Sequence, residues 1–277
     1  MSESKKAKCI AVVNMKGGAT KTTTVRMLID HAIKDNKRVL CIDLDPQATI
    51  TAWLGIGQTS LNECAFEASR IFNRSRPIEI GALKTESECD LIPACYAEML
   101  EITERVVPNK ELMLKQFLSK IDSLYDVIIV DTPGFMGAST RAAIVACPTL
   151  VIPSQTSGVD ASSTERFFRE VSGVVDAFEF KIKDIYFVPS VYDKRRTDDK
   201  IVLADMHESI GTLLSSLSGF NGTSITITEA VPENSSIKDA FSLGNIGGAS
   251  PQDSLRDKRK KATIAIIDNV CNNILGE

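Results

Sequence analysis

The chain has 277 residues with a net charge of −4 and a pI near 5.4, which argues against a protein that coats nucleic acid over its whole surface. It contains no run of about 18 apolar residues and no signal-peptide pattern, so we expect a cytoplasmic protein without a membrane span. Seven cysteines without a C-x-x-C pair fit reduced thiols better than a disulfide framework. No long Pro, Gly or Ser linker divides the chain, so residues 1–277 are predicted to form a single domain.

The first predicted unit is a strand, a loop and a helix, followed by a second strand. The apolar run KCIAVVN (8–14) is typical of a buried strand, and it stops at a Gly-Gly loop. From Thr22 onward, apolar residues recur at the spacing of one buried helix face until Asp35-Asn36 closes the segment. The run RVLCIDLD (38–45) is predicted to be the next strand. This order fits a parallel β-α-β crossover.

Further strands and helices alternate along the rest of the chain. Predicted strands lie at 125–134, 149–155, 184–190 and 223–230, and predicted helices at 111–121, 160–178 and 199–217. Residues 56–110 are the least periodic part and give only a weak pattern. The last segment, KATIAIIDNVCNNILGE (261–277), carries an apolar face at helical spacing, which predicts a helix that covers the core.

Apolar strands that alternate with helices predict an α/β fold. We expect a mostly parallel twisted sheet with helices on both faces, in three layers. Ligands of such sheets bind beyond the carboxyl ends of the strands. By that rule, five polar residues are predicted to lie near the edge formed by the carboxyl ends of the strands: Lys21, Asp45, Asp131, Gln155 and Asp193.

The loop NMKGGATKTT (14–23) contains the parts of a phosphate-binding site. Such a site needs backbone N–H groups, a helix N-terminus, a lysine and a hydroxyl for Mg²⁺. The candidates are Gly17 and Gly18 for the tight backbone, Lys21 for the cation, Thr22 for the metal-binding hydroxyl, and Thr23 for a hydroxyl near the α-phosphate. Thr20 stands where the general pattern has glycine. A glycine pair before a helix is also common in surface turns, so the loop alone leaves both interpretations open.

Acidic residues end two of the predicted strands. Asp43 and Asp45 lie at period two on one side of their strand, and Asp131 ends the apolar strand within 125–134. Carboxylates at these places could orient an attacking water or hold the shell of a Mg²⁺ ion. The alternatives are a helix N-cap before Pro46 for the pair and an ordinary strand-end turn for Asp131.

Together these motifs resemble the ParA/MinD branch of P-loop ATPases, whose deviant Walker A motif reads K-G-G-x-x-K-[ST]. The resemblance implies ATP and Mg²⁺ as cofactors. It implies that Lys16 is the signature lysine, which reaches the phosphates bound by the other subunit of a sandwich dimer, and that Asp45 activates water. The implied catalytic residues are Lys16, Lys21 and Asp45; the nucleotide-binding residues are Lys16, Gly17, Gly18, Ala19, Thr20, Lys21, Thr22, Thr23 and Pro232; the metal-binding residues are Thr22, Asp43 and Asp131.

Four further segments carry the resemblance along the chain. RVLCIDLDPQAT resembles the Walker A′ segment, and DVIIVDTPG resembles Walker B, with Gly134 in place of a frequent second proline. TLVIPSQTSGVDA resembles the segment after the next strand, and TEAVPENSSIKDAFSLGN (228–245) resembles the stretch that lines the adenine pocket. The likeness covers about residues 8–247, and the ordered motifs are jointly far more specific than any one of them.

The two branches of this family differ in what the ATP-bound dimer holds. MinD-type proteins end in a basic amphipathic membrane helix, whereas the last predicted helix here has no basic residue after Lys261. About eight residues precede the first strand, so an N-terminal helix-turn-helix domain is not expected and non-specific DNA binding is the remaining implied mode. The candidates are the basic residues Arg195, Arg196, Lys258, Arg259, Lys260 and Lys261, which could equally belong to solvated faces.

The resemblance implies an ATP-hydrolysing switch that partitions a plasmid or chromosome. An ATP-bound homodimer would bind DNA, associate with the nucleoid and be released when a ParB-like partner stimulates hydrolysis. The alternatives are a MinD-like membrane-associated ATPase, a nucleotide-dependent adaptor, and a relative of the nitrogenase iron protein. Retention of Asp45 and Asp131 argues against the adaptor, and the cysteine spacing argues against a bridging iron–sulfur cluster.

Overall fold

The computed structural model describes residues 6–16, 18, 20–56, 66–75, 77–79, 81–104, 109–155, 161–193, 195–232 and 258–276. For residues 103, 104, 161–163, 205, 207 and 258–260, the structure describes the helical backbone and not the side chains. The strands are β1 (Lys8–Val12), β2 (Val39–Asp43), β3 (Leu83–Lys84), β4 (Asp90–Ile92), β5 (Val127–Asp131), β6 (Thr149–Gln155), β7 (Asp184–Ser190) and β8 (Ser224–Ile227). The α-helices are α1 (Lys21–Lys34), α2 (Thr49–Trp53), α3 (Tyr96–Glu104), α4 (Lys110–Ile121), α5 (Ala138–Ala146), α6 (Ala161–Phe178), α7 (Thr197–Ser215) and α8 (Lys258–Leu275).

The described strands form one eight-stranded sheet in the order β3-β4-β2-β5-β1-β6-β7-β8. All neighbouring strands are parallel except β3 and β4, which pair antiparallel. The central strand β1 lies between β5 and β6, so the loop that follows β1 opens in the middle of the carboxyl edge. This is the position where open α/β sheets bind ligands.

Helices cover both faces of the sheet, which confirms the predicted three-layer α/β fold. Successive residues of β1 point to opposite faces, as the pleat requires. Ile10 and Val12 pack into a buried cluster with apolar side chains of α1 and α8. Cys9 and Ala11 pack into a second cluster with side chains of α4, α5, α6 and α7. Because both faces are covered, β1, β2 and β5 are apolar along almost their whole length.

The last helix, α8, covers the core as its sequence pattern predicted. Val270, Cys271 and Ile274 are buried in the cluster that also contains residues of α1. A polar contact accompanies this packing, since Nδ1 of His31 lies 3.0 Å from Oδ1 of Asp268 and its Nε2 lies 2.6 Å from Oδ1 of Asn272. Within the described ranges, no helix combines the length and the apolar character that crossing a lipid bilayer demands.

The structure differs from the sequence expectation mainly in short elements. The strands β3 and β4 have two and three residues, which is too short to show a period, and they lie with α3 inside the segment that gave only a weak pattern. The helix α5 was not predicted because its sequence, ASTRAAIVA, is small and apolar on most sides. The predicted first strand ends two residues early, at Val12, because Asn14 already belongs to the loop.

Candidate nucleotide-binding site

The loop between β1 and α1 is tied to β6 at its start. The side-chain amide of Asn14 donates to the carbonyl oxygen of Pro153 over 2.6 Å. Its Oδ1 accepts from the backbone N–H of Lys16 over 2.9 Å. One side chain therefore fixes both the direction in which the chain leaves β1 and the first turn of the loop. Lys16 itself is exposed.

Two residues of the loop adopt the left-handed backbone conformation. Gly18 has φ 73°, and its carbonyl oxygen accepts from the side-chain amide of Gln155 over 2.6 Å. Thr20 has φ 61°, which is costly for a β-branched residue. Its hydroxyl donates to Oγ of Ser190 over 2.9 Å. Gly17 and Ala19 lie outside the described residues, so their role in nucleotide binding stays a prediction.

The first turn of α1 brings a cation and hydroxyls to the carboxyl edge of the sheet. Lys21 is only 8% exposed. Burial lowers the pKa of its ammonium group, while the nearby carboxylates of Asp131 and Asp45 act in the opposite direction. Thr22 and Thr23 follow it and are half-buried. A lysine and free backbone N–H groups at a helix N-terminus form an environment that favours anions.

Two buried carboxylates lie side by side beneath this turn. Asp43 and Asp131 end the neighbouring strands β2 and β5 and are partners in the register. Burial raises the pKa of the Asp43 carboxyl to about 7 and raises the pKa of the Asp131 carboxyl well above its usual value, with Asp43 adding to the second effect. The predicted convergence of strand-end acids is therefore present in the structure.

Asp131 is the strand-end carboxylate that contacts the first turn of α1. Its Oδ2 accepts from the hydroxyl of Thr22 over 2.9 Å. Its Oδ1 is buried and has no hydrogen-bond partner among the described residues. A hydroxyl and a carboxylate are hard oxygen ligands of the type that Mg²⁺ prefers. The residues present thus fit Mg²⁺, and the unsatisfied oxygen marks where an interaction is missing.

Asp43 is engaged differently. Its Oδ1 accepts from the backbone N–H of Asp45 over 3.0 Å, and its Oδ2 accepts from the hydroxyl of Thr51 over 2.7 Å. It has no exposed surface. The predicted role of Asp43 as a metal ligand stays a prediction, and in this structure both of its oxygens serve neighbouring protein groups. Asp45 is half-buried, and its Oδ1 accepts from the backbone N–H of Gln47 over 3.0 Å.

A model of the AAA domain family, AAA_31, matches residues 7–184, which include β1 to β6 and all the acids of this site. The chain belongs to the AAA_31 family. The match covers more than half of the chain and contains the loop 14–23, Asp45 and Asp131.

Two relatives of this AAA_31 chain confirm the predicted resemblance to ParA-type proteins. The sporulation initiation inhibitor protein Soj of Bacillus subtilis is 35% identical over 150 residues, which are 53% of this chain and 58% of Soj. The chain thus spans less than two thirds of that relative. The chromosome partitioning protein ParA of Caulobacter vibrioides is 26% identical over 206 residues, which are 73% of this chain and 76% of that protein.

Solved structures show the same architecture. The cobyrinic acid a,c-diamide synthase of Mycobacterium smegmatis, with a bound ATP analog and magnesium, is 26% identical and superposes with a TM-score of 0.65 over 73% of this chain and 82% of its own. A single-residue variant of McdA from Cyanothece, in complex with ATP, superposes with a TM-score of 0.76 over 98% of this chain and 97% of its own, at 19% identity. The second likeness concerns the fold alone.

The remaining predicted site residues of the AAA_31 chain lie on other elements. Pro232 pairs with Tyr192 in an isolated parallel bridge beyond the end of β7. Arg195 is 85% exposed, and its Nη2 lies 2.8 Å from Oδ2 of Asp193. Hydrogen bonds from Arg195 lower the pKa of Asp193 to about 2.

Among the other basic candidates, Nε of Arg196 lies 4.0 Å from Oδ1 of Asp199. Lys258, Arg259 and Lys260 start α8, with side chains outside the described part, and Lys261 is exposed.

Sequence reasoning missed three residues that organise the site: Asn14, Ser190 and Thr51. Ser190 ends a strand without a motif that distinguishes it from ordinary polar residues, and Asn14 opens the loop 14–23 at a position to which the sequence assigned no contact. Thr51 comes eight residues after Asp43. A hydroxyl shortly after an acid-terminated strand was the one available signal, and it is weak, because threonine is common in the first turn of helices.

Proposed function

We propose that this chain is a Mg²⁺-dependent ATPase that works as a positioning switch. The observation that carries the proposal is the contact between the Thr22 hydroxyl and Asp131, beside the buried Lys21, at the carboxyl edge of the sheet. A hydroxyl, a strand-end acid and a lysine behind a helix N-terminus form the set that P-loop enzymes use for phosphoryl chemistry. The family membership and the ATP analog bound to the Mycobacterium smegmatis structure support this assignment.

The nucleotide would be held by the loop and the first turn of α1. Lys21 would neutralise the β- and γ-phosphates, because its ammonium group is buried at the helix N-terminus, where anions are favoured. Thr22 and Asp131 would hold Mg²⁺, which would polarise the phosphoryl oxygens and neutralise developing charge. Asn14 and Gln155 would keep the loop in its binding shape, since their side-chain amides form hydrogen bonds that join the loop to β6.

Hydrolysis would use Asp45 to orient the attacking water. Its side chain is half-buried at the site edge and lies close enough to Lys21 to influence the pKa of that lysine. A carboxylate in this place can accept a proton from water as the bond to the γ-phosphate forms. Asp45→Ala should therefore bind ATP with nearly normal affinity while its turnover falls by about 100-fold or more.

Dimerisation and DNA binding complete the proposed switch. Lys16 is exposed within the loop, where it could contact phosphates bound by a second copy of the chain. The homodimer would bind DNA through phosphate contacts from basic residues, and hydrolysis stimulated by a ParB-like partner would separate the subunits. The relative from Caulobacter vibrioides is named a chromosome partitioning protein, and we extend partition of a plasmid or chromosome, with nucleoid association of the ATP form, to this chain.

One experiment tests the enzyme. Phosphate release from ATP is measured with and without Mg²⁺ for the wild type, Asp45→Ala and Lys21→Met. We expect Mg²⁺-dependent turnover in the wild type alone. Wild-type turnover equal to that of Asp45→Ala would remove the catalytic assignment.

A second experiment tests the switch. Binding to random-sequence duplex DNA is measured without nucleotide, with ADP, and with ATP plus Mg²⁺, at two salt concentrations, beside Lys16→Gln. ATP-dependent, salt-sensitive binding that Lys16→Gln loses supports the proposal. Tight ATP binding without DNA binding would contradict it and would favour a membrane surface or a protein adaptor, which binding to anionic liposomes would separate.

A further inference from the structure

A buried chain of hydrogen bonds connects α2 to the backbone of Asp45. Thr51 lies in α2 and is almost completely buried. Its hydroxyl donates to Oδ2 of Asp43 over 2.7 Å, and its backbone N–H donates to the same oxygen over 3.2 Å. The other oxygen of Asp43 accepts from the backbone N–H of Asp45 over 3.0 Å.

The Thr51 hydroxyl also receives a hydrogen bond. The backbone N–H of Ala94, just beyond β4, donates to Oγ1 of Thr51 over 3.2 Å. One hydroxyl therefore links α2, the end of β2 and the segment after β4. With a donor and an acceptor role both filled, its hydrogen is directed toward Asp43, and the hydroxyl acts together with the backbone N–H groups of Thr51 and Asp45 in fixing the plane of that carboxyl group.

This arrangement holds the backbone of Asp45, and the Asp45 carboxylate in turn accepts from the backbone N–H of Gln47. Asp43 is enclosed, so its carboxyl plane is set by its hydrogen-bond partners and not by solvent. The Asp45 backbone N–H is held by that carboxyl group, while the Asp45 carboxylate extends to the half-buried site edge. If the plane of Asp43 can rotate, the Asp45 backbone loses its fixed acceptor, and the position of its carboxylate broadens.

We propose that Thr51 is a positioning residue for the hydrolysis step, acting through Asp43 to orient Asp45. The inference rests on the proposed ATPase function and deepens it. Thr51 would touch neither nucleotide nor metal, because its hydroxyl is buried between two protein groups. Its loss should therefore affect the rate of hydrolysis and leave nucleotide and metal affinity unchanged. Groups that hydrogen-bond to metal ligands without touching the metal typically contribute about 10- to 100-fold to affinity or activity. We expect a loss of activity in the same range when Thr51 no longer orients Asp43.

The test uses the pair Thr51→Val and Thr51→Ser in the full-length chain. Valine keeps the shape and removes the hydroxyl, whereas serine keeps the hydroxyl. For each protein we would measure kcat and KM for ATP, the affinity for a fluorescent ATP analog, and the Mg²⁺ concentration that gives half-maximal turnover. We expect Thr51→Val to lower kcat about tenfold or more while the other three quantities change less than about twofold. Thr51→Ser should stay within about twofold of the wild type in all four.

Thr223→Val is the matched control, because it also removes a hydroxyl hydrogen bond. The Thr223 hydroxyl donates to the carbonyl oxygen of Ile182 over 2.9 Å. This bond lies next to the start of β8, at the opposite end of the sheet from the candidate site. Its kcat should equal that of the wild type. A Thr51→Val protein with wild-type kcat overturns the inference while leaving the ATPase proposal standing. So does a variant that loses ATP binding as strongly as turnover, because the hydroxyl would then be structural. A wild type that binds ATP without hydrolysing it overturns the ATPase proposal and this inference together.

Discussion

The side-chain amide of Asn14 donates to the carbonyl oxygen of Pro153, 139 residues away in the chain, over 2.6 Å. The same side chain accepts from the backbone N–H of Lys16. The loop is therefore anchored to the neighbouring strand β6 before any ligand binds, and an anchored loop loses less conformational entropy on binding than a free one.

Asn14→Ala should weaken ATP binding without removing it. The substitution breaks two hydrogen bonds worth about 1 kcal/mol each, so the loop must be ordered by the ligand. We expect the Kd for ATP to rise about tenfold, which is about 1.4 kcal/mol, as measured by calorimetric titration. Asn73→Ala is the control, because Oδ1 of Asn73 accepts from the backbone N–H of Ser75 in a distant turn. An unchanged Kd in Asn14→Ala would show that the anchor is irrelevant.

Thr20 tests the cost of the left-handed conformation. Its φ of 61° strains a residue with a Cβ atom by about 1–2 kcal/mol, while its hydroxyl gains a bond to Ser190. Thr20→Ala keeps the strain and loses the bond, whereas Thr20→Gly loses both. We therefore expect Thr20→Gly to be more stable than Thr20→Ala by about 1 kcal/mol in urea unfolding. The reverse order would mean that the strain is absent in solution.

Asp131→Asn should uncouple Mg²⁺ from nucleotide binding. The amide can still accept from Thr22, and a neutral side chain avoids the cost of burying a charge, which is the effect that raises the pKa of the carboxyl group. We expect the variant without ligand to be at least as stable as the wild type. In thermal unfolding with ATP, added Mg²⁺ should raise the Tm of the wild type and leave that of Asp131→Asn unchanged. A Mg²⁺-dependent rise in both would assign the metal to other residues.

Alanine substitutions at a buried and at an exposed isoleucine test whether α8 packs into the core. Ile274 of α8 is 0% exposed, and Ile201 of α7 is 54% exposed. Ile274→Ala should lower the free energy of unfolding by about 2–4 kcal/mol, because it leaves a cavity against α1. Ile201→Ala should change it by less than about 0.5 kcal/mol. Similar small effects at both positions would argue against a core role for α8.

The two basic clusters, Arg195-Arg196 and 258–261, should contribute unequally to DNA binding. Arg195 is already paired with Asp193, so a phosphate contact would have to compete with that carboxylate. The logarithm of the association constant for DNA should fall with the logarithm of the salt concentration. Replacing Lys258, Arg259, Lys260 and Lys261 by glutamine should reduce the steepness of this fall by about 2–4, since each lost phosphate contact reduces it by about 0.9. Arg195→Ala should lower it by less than about 0.9. Equal effects of the two changes would contradict this ranking.

Much of the site could be predicted because its parts are local in sequence. Lys21 and Thr22 follow a glycine pair at a strand-to-helix junction, and Asp131 ends a strand that is otherwise apolar. The carboxyl-edge rule predicted that Lys21 and Asp131 would lie near one edge, and in the structure Thr22, the residue after Lys21, donates to Asp131. The segment around β3, β4 and α3 could not be assigned, because strands of two or three residues are formed by pairing with β2 and not by their own pattern.

Hydrophobic period was enough to predict the layered α/β fold, and glycine spacing was enough to place the candidate loop between β1 and α1, because both patterns act within one or two neighbouring elements. The contacts of Asn14 with Pro153, of Thr51 with Asp43 and of Arg195 with Asp193 became visible only in the folded chain. Two of these contacts join separate elements, and the third needs a particular turn after β7. A hydrogen bond requires atoms within about 3.5 Å, and that distance is set by packing of the whole chain, which no local pattern specifies.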